Sequence, residues 1–286
     1  MNESRDEEPL SGGNTNSGVV KVGDTVRRAI GPQSEHVHDL LLHLERKGFA
    51  EAPRFLGIDE QGREILSYID GESAVPDSIW RDKAALVEAT RILRRYHDAT
   101  EDLPHSTADN WAFAYPVPER REVICHNDFA PYNMRFRGGL PVGIVDFDLA
   151  GPGPRMRDIA YLAYWMTPLS FMSHDLTEHS MRDLEDGSLR LKLLCDTYGV
   201  TDYEGLLAIV ASVGLVACAA PAAGRSFRRR GKHDRIVLLK PGRHLGEHAR
   251  AHADRVHLRA LQLLRRHGLL AQLRELGEQA PALDLV

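Results

Sequence analysis

Residues 123–148 have the sequence VICHNDFAPYNMRFRGGLPVGIVDFD, which contains two strand-like runs around a pair of glycines. The runs MRFR and VGIVDF flank Gly138-Gly139, and this arrangement predicts an antiparallel hairpin. Asn133 precedes the first run, and Asp146 lies near the end of the second. The hairpin would therefore bring both side chains to the same end, close enough to share a cation.

Asp128 lies on the loop that leads into this end of the hairpin, five residues before Asn133. Asp and Asn supply only oxygen ligands, which Mg²⁺ prefers, whereas Zn²⁺ favours His or Cys. The shorter pattern His126-x-Asp128 is weak by itself, because the chain has 14 histidines and residues 252–254 match it as well. The complete set predicts a magnesium site, and the alternative is a polar loop that matches by chance.

Composition excludes several classes of protein. The 286 residues are 43% hydrophobic and 27% charged, which is typical of a globular chain rather than a disordered or fibrous one. A net charge of −5 gives no indication of a nucleic-acid or membrane partner, and three cysteines without CxxC spacing favour neither a disulfide framework nor a zinc ribbon. The polar, acidic start resembles no secretory signal, and the longest apolar run, over 206–220, is shorter than a membrane span. We therefore expect a cytoplasmic protein.

Hydrophobic periodicity divides the chain into a small β-rich lobe over residues 1–69 and a larger, mostly helical lobe over residues 70–286. Residues 1–9 are expected to be a charged, frayed start. The elements predicted after it are a glycine-rich loop over 10–18, a hairpin around Gly23-Asp24, a helix from Ser34 to Gly48, a strand pair over 54–58 and 64–69, a helix over 81–100, the hairpin described above, and helices beyond Asp158.

The segments His126-Asn127-Asp128-Phe129-Ala130-Pro131-Tyr132-Asn133 and Ile144-Val145-Asp146-Phe147-Asp148 resemble the catalytic and metal motifs of the aminoglycoside phosphotransferase and choline kinase family. That family is related to protein kinases, whose H-R-D-x-x-x-x-N and D-F-G motifs have the same spacing. The resemblance extends from the glycine-rich loop through GPGPRMRDIAYLA (151–163) and fades after about residue 200. It implies an α+β, bilobal protein-kinase-like fold with a nucleotide between the lobes. The implied reaction transfers the γ-phosphoryl group of ATP or GTP, with Mg²⁺, to a hydroxyl of a small molecule.

The resemblance also implies roles for individual residues. Asp128 would accept a hydrogen bond from the acceptor hydroxyl, orient it in line and take its proton. Asn133 and Asp146 would hold Mg²⁺ on the phosphate oxygens. Catalysis would then consist mainly of positioning and charge neutralisation, because the transferring group passes through a loose, anionic transition state.

Three further residues are expected to support this site. His126 would fix the catalytic loop by packing and hydrogen bonding. Asp158, at the start of a helix, would bind the backbone of the same loop. Asp148 would assist the metal or the substrate, or would instead cap a helix or turn.

A basic residue of the first lobe is implied as a contact for the nucleotide phosphates. Around a two-residue Gly-Asp turn, the hairpin register places Val19, Lys21, Val26 and Arg28 on one face. The two valines suit an apolar roof over an adenine ring, and Arg28 would reach the phosphates. Arg27 is the second choice, and the alternative is that both arginines are solvated.

The other candidates for nucleotide binding lie in the glycine-rich loop and in the hinge-like segment EILSYIDGE (64–72). They are Gly13, Asn14, Thr15, Ser67 and Ile69.

One feature of the family pattern is missing from the sequence. The family places a glutamate on the helix after the basic strand residue, but the matching positions here are Val37 or His38. The nearest acids on this helix are Glu35 and Asp39. Arg28 therefore has no obvious carboxylate partner on the helix.

Two other functions compete with phosphotransfer. One is a non-catalytic binding or toxin-immunity protein on the same fold, which the missing glutamate favours and the intact set of Asp128, Asn133 and Asp146 disfavours. The other is nucleic-acid binding through residues 225–235, which hold six Lys or Arg in eleven positions. For the acceptor, residues 176–286 carry 13 acidic and 17 basic side chains, a balance of +4. This balance favours a neutral, zwitterionic or anionic acceptor over a polycation.

Overall fold

The structure is a computed structural model that describes residues 7–10, 18–103, 111–167, 178–207 and 209–210. The chain divides into two compact units, Met1–Asp158 and Ile159–Val286. The first unit contains both the β-rich segment and the catalytic motifs. The lobe boundary at residue 69 lies inside this unit and stays a prediction.

The N-terminal part of the first unit is a five-stranded antiparallel sheet with strand order β1-β2-β3-β5-β4. Its strands are β1 (Glu8–Pro9), β2 (Val20–Val22), β3 (Thr25–Ala29), β4 (Phe55–Ile58) and β5 (Arg63–Ser67). The turn between β2 and β3 requires a positive φ, which Gly23 supplies at 59°.

The predicted hairpin register is confirmed for Val20↔Arg27, Lys21↔Val26 and Val22↔Thr25. The ladder ends there, and the carbonyl of Val19 instead accepts a hydrogen bond from the backbone N–H of Leu10 at 3.0 Å.

The prediction of a frayed start is wrong for its last residues. Glu8 and Pro9 pair with Lys21 and Val20 of β2. Glu7 forms an ion pair with Arg63, with 2.9 Å between Oε1 and Nη2. Charge and proline made this segment resemble a free end, but a proline is tolerated on an edge strand, which is the position β1 takes.

Two helices pack on this framework as the periodicity predicts. Helix α1 spans Ser34–Arg46 and helix α2 spans Lys83–Thr100, where the side chain of Asp82 caps the first turn by accepting from Ala84 N at 2.8 Å. Their predicted apolar faces are buried: Val37, Leu40, Leu41 and Leu44 on α1, and Leu86, Ala89, Leu93, Tyr96 and His97 on α2.

The catalytic segment forms two strand pairs. Strand β6 (Val123–Cys125) pairs with β9 (Gly151–Gly153), and β7 (Met134–Arg137) pairs with β8 (Leu140–Ile144) as the sequence predicts. The sequence did not predict β9, because Gly-Pro-Gly has no strand preference. Close packing explains the glycine at 151, since a Cβ there would lie 1.8 Å from the carbonyl oxygen of Phe113.

Helix α3 (Arg155–Met166) begins in the first unit and continues in the second, which also contains α4 (Glu178–Tyr198). Within the second unit, Arg190 Nε donates to the carbonyl of Met166 at 2.9 Å. No helix in the described ranges combines the length and apolar character needed to cross a bilayer. The predicted helices beyond residue 210 and the basic run over 225–235 lie outside the described residues.

Candidate active site

The loop between β6 and β7, residues 126–133, is the candidate catalytic loop, and it holds Asp128 in a fixed position. Asp128 is 7% exposed, and its Oδ2 accepts a hydrogen bond from Asn133 Nδ2 at 2.9 Å. Its Oδ1 accepts from the hydroxyl of Tyr132. A short 3₁₀ turn over Pro131–Asn133 brings these donors back to the aspartate. Sequence reasoning missed Tyr132, whose contact depends on this turn.

A buried carboxylate beneath the loop holds its backbone. Asp158 accepts hydrogen bonds from the backbone N–H of His126 at 2.6 Å and of Asn127 at 2.8 Å. It also accepts from the ring Nε2 of His97 at 3.1 Å. These are the backbone contacts that the resemblance implies for Asp158. The sequence indicated His97 only as a residue of a buried helix face.

Burial and hydrogen bonding act in opposite directions on this pair. Burial alone would raise the pKa of Asp158, but the hydrogen bonds from His97 and from the backbone N–H of His126 lower it below the usual value for an aspartate. Burial also lowers the pKa of His97, and this effect outweighs the attraction of Asp158. At neutral pH the pair is therefore an ionised carboxylate that accepts from a neutral imidazole.

His126 connects the catalytic loop to the strand that leads to Asp146. Its Nδ1 accepts from the backbone N–H of Asp128 at 3.3 Å, and its Nε2 lies 3.2 Å from the carbonyl oxygen of Val145. These partners fit one tautomer, with the proton on Nε2. The ring is fully buried, and its two contacts join the loop to the strand that leads to Asp146.

Two residues of the site have strained backbones. Asn127 has a φ of 63° and Asp146 a φ of 67°, and they are the two non-glycine residues with positive φ in the described part of the chain. Such conformations are uncommon for residues with a Cβ and persist where surrounding contacts enforce them. Asn127 Nδ2 donates to the carbonyl of Leu149 at 2.8 Å, which joins the catalytic loop to the segment after Asp146.

The end of the β7–β8 hairpin brings the predicted metal ligands together. The backbone N–H of Val145 donates to the carbonyl of Asn133 at 2.9 Å, so Asp146 follows immediately beside Asn133. The side chain of Asp146 is 30% exposed and that of Asp148 is 24% exposed. Asn133 turns its Nδ2 toward Asp128, and this orientation directs its amide oxygen away from that residue. These oxygen donors fit the preference of Mg²⁺.

Arg28 of β3 reaches this end of the hairpin. Its Nη2 lies 2.7 Å from Asp148 Oδ1, and its Nη1 lies 4.0 Å from Asp146 Oδ1. Its Nε forms an ion pair with Glu64 of β5. Burial would lower the pKa of Arg28, but the charges of Asp148, Glu64 and Asp146 raise it above its usual value, so the cation is firmly held.

The family pattern predicts a carboxylate partner for Arg28 on helix α1. In the structure, the partner Glu64 comes from strand β5 instead. Arg28 and Glu64 are direct cross-strand partners of β3 and β5. The signal in the sequence was a charged residue at a position of a predicted strand that faces inward. Arg27 lies on the opposite face of β3, where its Nη1 donates to Thr25 Oγ1 at 2.5 Å.

The remaining nucleotide-binding candidates are placed as follows. Ser67 Oγ accepts from the backbone N–H of Arg54 at 2.7 Å. Ile69 packs beside Gly143, where a Cβ would lie 2.7 Å from Ile69 Cγ2. Ser67 lies opposite Thr25, on the face of the sheet away from Arg28, and a nucleotide contact at Ser67 or Ile69 stays a prediction. Gly13, Asn14 and Thr15 lie outside the described residues.

Comparison with known proteins gives a match to a family model, a related protein and several solved structures. The model of the phosphotransferase enzyme family (APH) matches residues 103–173. The trifolitoxin immunity protein of Rhizobium leguminosarum bv. trifolii is 37% identical over 201 residues, which cover 68% of this chain and 75% of that protein.

Solved structures with the same fold include two aminoglycoside phosphotransferases. ADP-bound APH(2″)-Ib superimposes with a TM-score of 0.55 at 13% identity, and the matched region covers 90% of this chain and 92% of the APH(2″)-Ib chain. The gentamicin complex of APH(2″)-IIa superimposes with a TM-score of 0.51 at 15% identity, and the matched region covers 74% of this chain and 82% of the APH(2″)-IIa chain. These similarities establish the α+β, protein-kinase-like fold class.

Proposed function

The chain belongs to the phosphotransferase enzyme family, and we propose that it transfers the γ-phosphoryl group of a nucleoside triphosphate to a hydroxyl of a small molecule. The observation that carries the proposal is the meeting of Arg28 with Asp146 and Asp148, next to the turn that holds Asp128 and Asn133. A cation for phosphate, oxygen ligands for a metal and a positioned carboxylate are the parts that phosphoryl transfer requires.

In the proposed reaction, Asp128 orients the acceptor hydroxyl and takes its proton. The bond between the γ-phosphorus and the bridging oxygen breaks as the bond from the acceptor oxygen forms, and a nucleoside diphosphate leaves. Tyr132 and Asn133 hold the Asp128 carboxylate in place from both oxygens. Positioning of this kind is effective because the reaction then needs little rearrangement of the protein.

We assign the metal to Asn133 and Asp146, with Asp148 beside them. When bound, Mg²⁺ neutralises charge on the phosphate oxygens. Arg28 would bind the same phosphate tail from the side of the N-terminal sheet, with its terminal nitrogens exchanging carboxylate for phosphate oxygens. A bidentate guanidinium suits that role.

The donor and the acceptor are proposed by class. ADP in the related APH(2″)-Ib supports ATP as donor, and GTP is the second candidate. A complex of another relative with gentamicin supports an antibiotic or similar hydroxylated molecule as acceptor, while the charge of residues 176–286 favours a neutral, zwitterionic or anionic one. We propose a cytoplasmic location, which suits the buried free thiols of Cys125 and Cys195.

A non-catalytic immunity function is the second candidate, because the relative at 37% identity is named an immunity protein. Protection by phosphorylation and protection by sequestration are separated by Asp128→Asn, which keeps the shape of the side chain and removes the proton acceptor. We expect turnover of the purified enzyme to fall by about 10²–10⁴-fold, with nucleotide affinity nearly unchanged.

The assay measures nucleotide consumption over a panel of hydroxylated metabolites and antibiotics, with ATP and GTP in parallel. Asp102→Asn is the matched control, because Asp102 is an exposed carboxylate that pairs with Lys47. In cells that the protein protects, Asp128→Asn should lose protection together with turnover. Full protection by a folded Asp128→Asn variant would refute the phosphotransferase and favour sequestration.

A further inference from the structure

Glu64 is a fully buried carboxylate with a defined partner on each oxygen. Oε1 accepts from Arg28 Nε, and Oε2 accepts from His38 Nε2 at 2.5 Å. The ring of His38 is in turn stacked on Phe55, with 3.8 Å between centroids and 13° between planes. Burying a carboxylate is costly unless it is paired, and Glu64 is paired at both oxygens.

The contact with Glu64 determines which way the guanidinium of Arg28 faces. Because the guanidinium is planar, anchoring its Nε edge fixes the plane and the direction of both terminal nitrogens. Those nitrogens then face the hairpin end, where Nη2 lies 2.7 Å from Asp148 Oδ1. Without the anchor, only Asp146 and Asp148 would hold the guanidinium. Once its terminal nitrogens leave these carboxylates for phosphate oxygens, the nucleotide would have to order the side chain, at an entropic cost to affinity.

Helix α1 contributes to the anchor through a histidine. Neither Glu35 nor Asp39 of this helix forms an ion pair with Arg28 in the described part of the chain. His38 contacts Glu64 instead, and since a carboxylate only accepts, His38 Nε2 must be the donor. The partners of Arg28 therefore differ from the family pattern. Glu64 on β5, held by His38 on α1, takes the place of a glutamate on the helix.

We propose that Glu64 and His38 are positioning residues that hold Arg28 ready for the nucleotide phosphates. The inference rests on the proposed function, since it assigns the terminal nitrogens of Arg28 to phosphate oxygens. Glu64 and His38 themselves touch neither nucleotide nor acceptor, and they act through the guanidinium.

The experiment is a double-mutant cycle on the dissociation constant of the nucleoside triphosphate in the presence of Mg²⁺, measured by calorimetry on the full chain. Glu64→Gln should weaken binding roughly tenfold, equivalent to about 1.4 kcal/mol, which is in the range of one charge-assisted hydrogen bond. His38→Ala should weaken it by about threefold to tenfold on the same scale. In an Arg28→Ala background, both effects should vanish, because the residue through which they act is gone.

Asp59→Asn is the matched control, because Asp59 is a carboxylate that pairs with Arg63 and Arg27 at the other face of the same sheet. It should change the dissociation constant by less than about twofold. Unfolding midpoints show that each variant is folded, and if Glu64→Gln is not, His38→Ala decides the result. Effects of Glu64→Gln or His38→Ala that persist undiminished in the Arg28→Ala background would show a merely structural role and overturn the proposal.

The outcomes also separate this inference from the function on which it rests. Weakened binding by Arg28→Ala, with wild-type affinity in Glu64→Gln and His38→Ala, overturns the positioning role and leaves the phosphotransferase standing. No binding of ATP or GTP by the wild-type chain overturns the proposed function, and this inference with it.

Discussion

Asp158→Asn is expected to lower the free energy of unfolding more than the same substitution of an exposed aspartate. Three donors converge on the carboxylate: the backbone N–H groups of His126 and Asn127 and the ring of His97, at 2.6, 2.8 and 3.1 Å. An asparagine keeps one acceptor oxygen but points an NH₂ group at donors. Oδ2 of Asp158 accepts from His126 and His97, so an asparagine oxygen in that position keeps both, and the backbone N–H of Asn127 loses its partner at a cost of about 1–3 kcal/mol. The two hydrogen bonds that remain are also weakened, because the acceptor has lost its charge, and we expect the free energy of unfolding to fall by about 3 kcal/mol in total.

Urea unfolding at pH 7 measures this loss, with Asp98→Asn as control. Asp98 lies next to His97 on α2 and forms ion pairs with Arg94 and Arg155, but its side chain is 46% exposed. Exposed pairs of this kind contribute less than about 1 kcal/mol. A loss in Asp158→Asn no larger than in Asp98→Asn would refute the idea that Asp158 holds the loop.

The pH dependence gives a second check on the same pair. The pKa of Asp158 is below its usual value of 3.8, so its stabilisation is complete above that pH and is lost as the pH falls through the lower, folded-state pKa. The pKa of His97 is also lowered, from 6.5, so the neutral ring stabilises the fold above pH 6.5 and progressively less below it. Wild-type stability should decline below about pH 6.5 and again below about pH 4. An excess stability over Asp158→Asn that remains unchanged at pH 2 would contradict the lowered pKa of Asp158.

Two further predictions concern the metal and the backbone. Asp146→Ala should abolish the magnesium dependence of nucleotide binding while the chain stays folded. If Mg²⁺ raises the affinity for the nucleotide equally in the variant and the wild type, Asp146 is not a metal ligand. Gly151→Ala should destabilise the chain by about 3 kcal/mol or more, because its Cβ would lie 1.8 Å from the Phe113 carbonyl oxygen. Gly138→Ala, at a φ of 57° in open space, should cost about 1 kcal/mol in the same urea unfolding assay, and similar costs for the two variants would argue against the close approach.

The parts of the fold that were predicted have a local cause. Gly23-Asp24 determines the register of the first hairpin, and the spacing of apolar residues determines the buried faces of α1 and α2. The second hairpin follows from two strand-like runs around Gly138-Gly139, so the juxtaposition of Asn133 and Asp146 could be predicted as well. The family resemblance supplied roles for these residues, which spacing alone does not give.

The parts that were missed depend on contacts between segments distant in sequence. Glu64 meets Arg28 across two strands whose pairing the sequence does not state, and His38 meets Glu64 from a helix. His97 resembles a residue of the α2 core until Asp158 is placed beside it. Strand β9 exists because β6 offers it a partner and not because Gly-Pro-Gly favours an extended chain. Local sequence preference carries no information about any of these contacts.

The way in which Asp158 holds the catalytic loop has an evolutionary consequence. It binds backbone N–H groups, which every residue except proline possesses, so these contacts do not depend on the side chain of Asp128, to which we assign the proposed chemistry. Shape and reactivity therefore reside in different residues. If the proposed function holds, a single substitution at Asp128 removes catalysis and leaves a folded protein that still binds its nucleotide. On such a scaffold, enzymes and proteins that only bind are separated by one mutational step, and lineages can cross between them without passing through an unfolded intermediate.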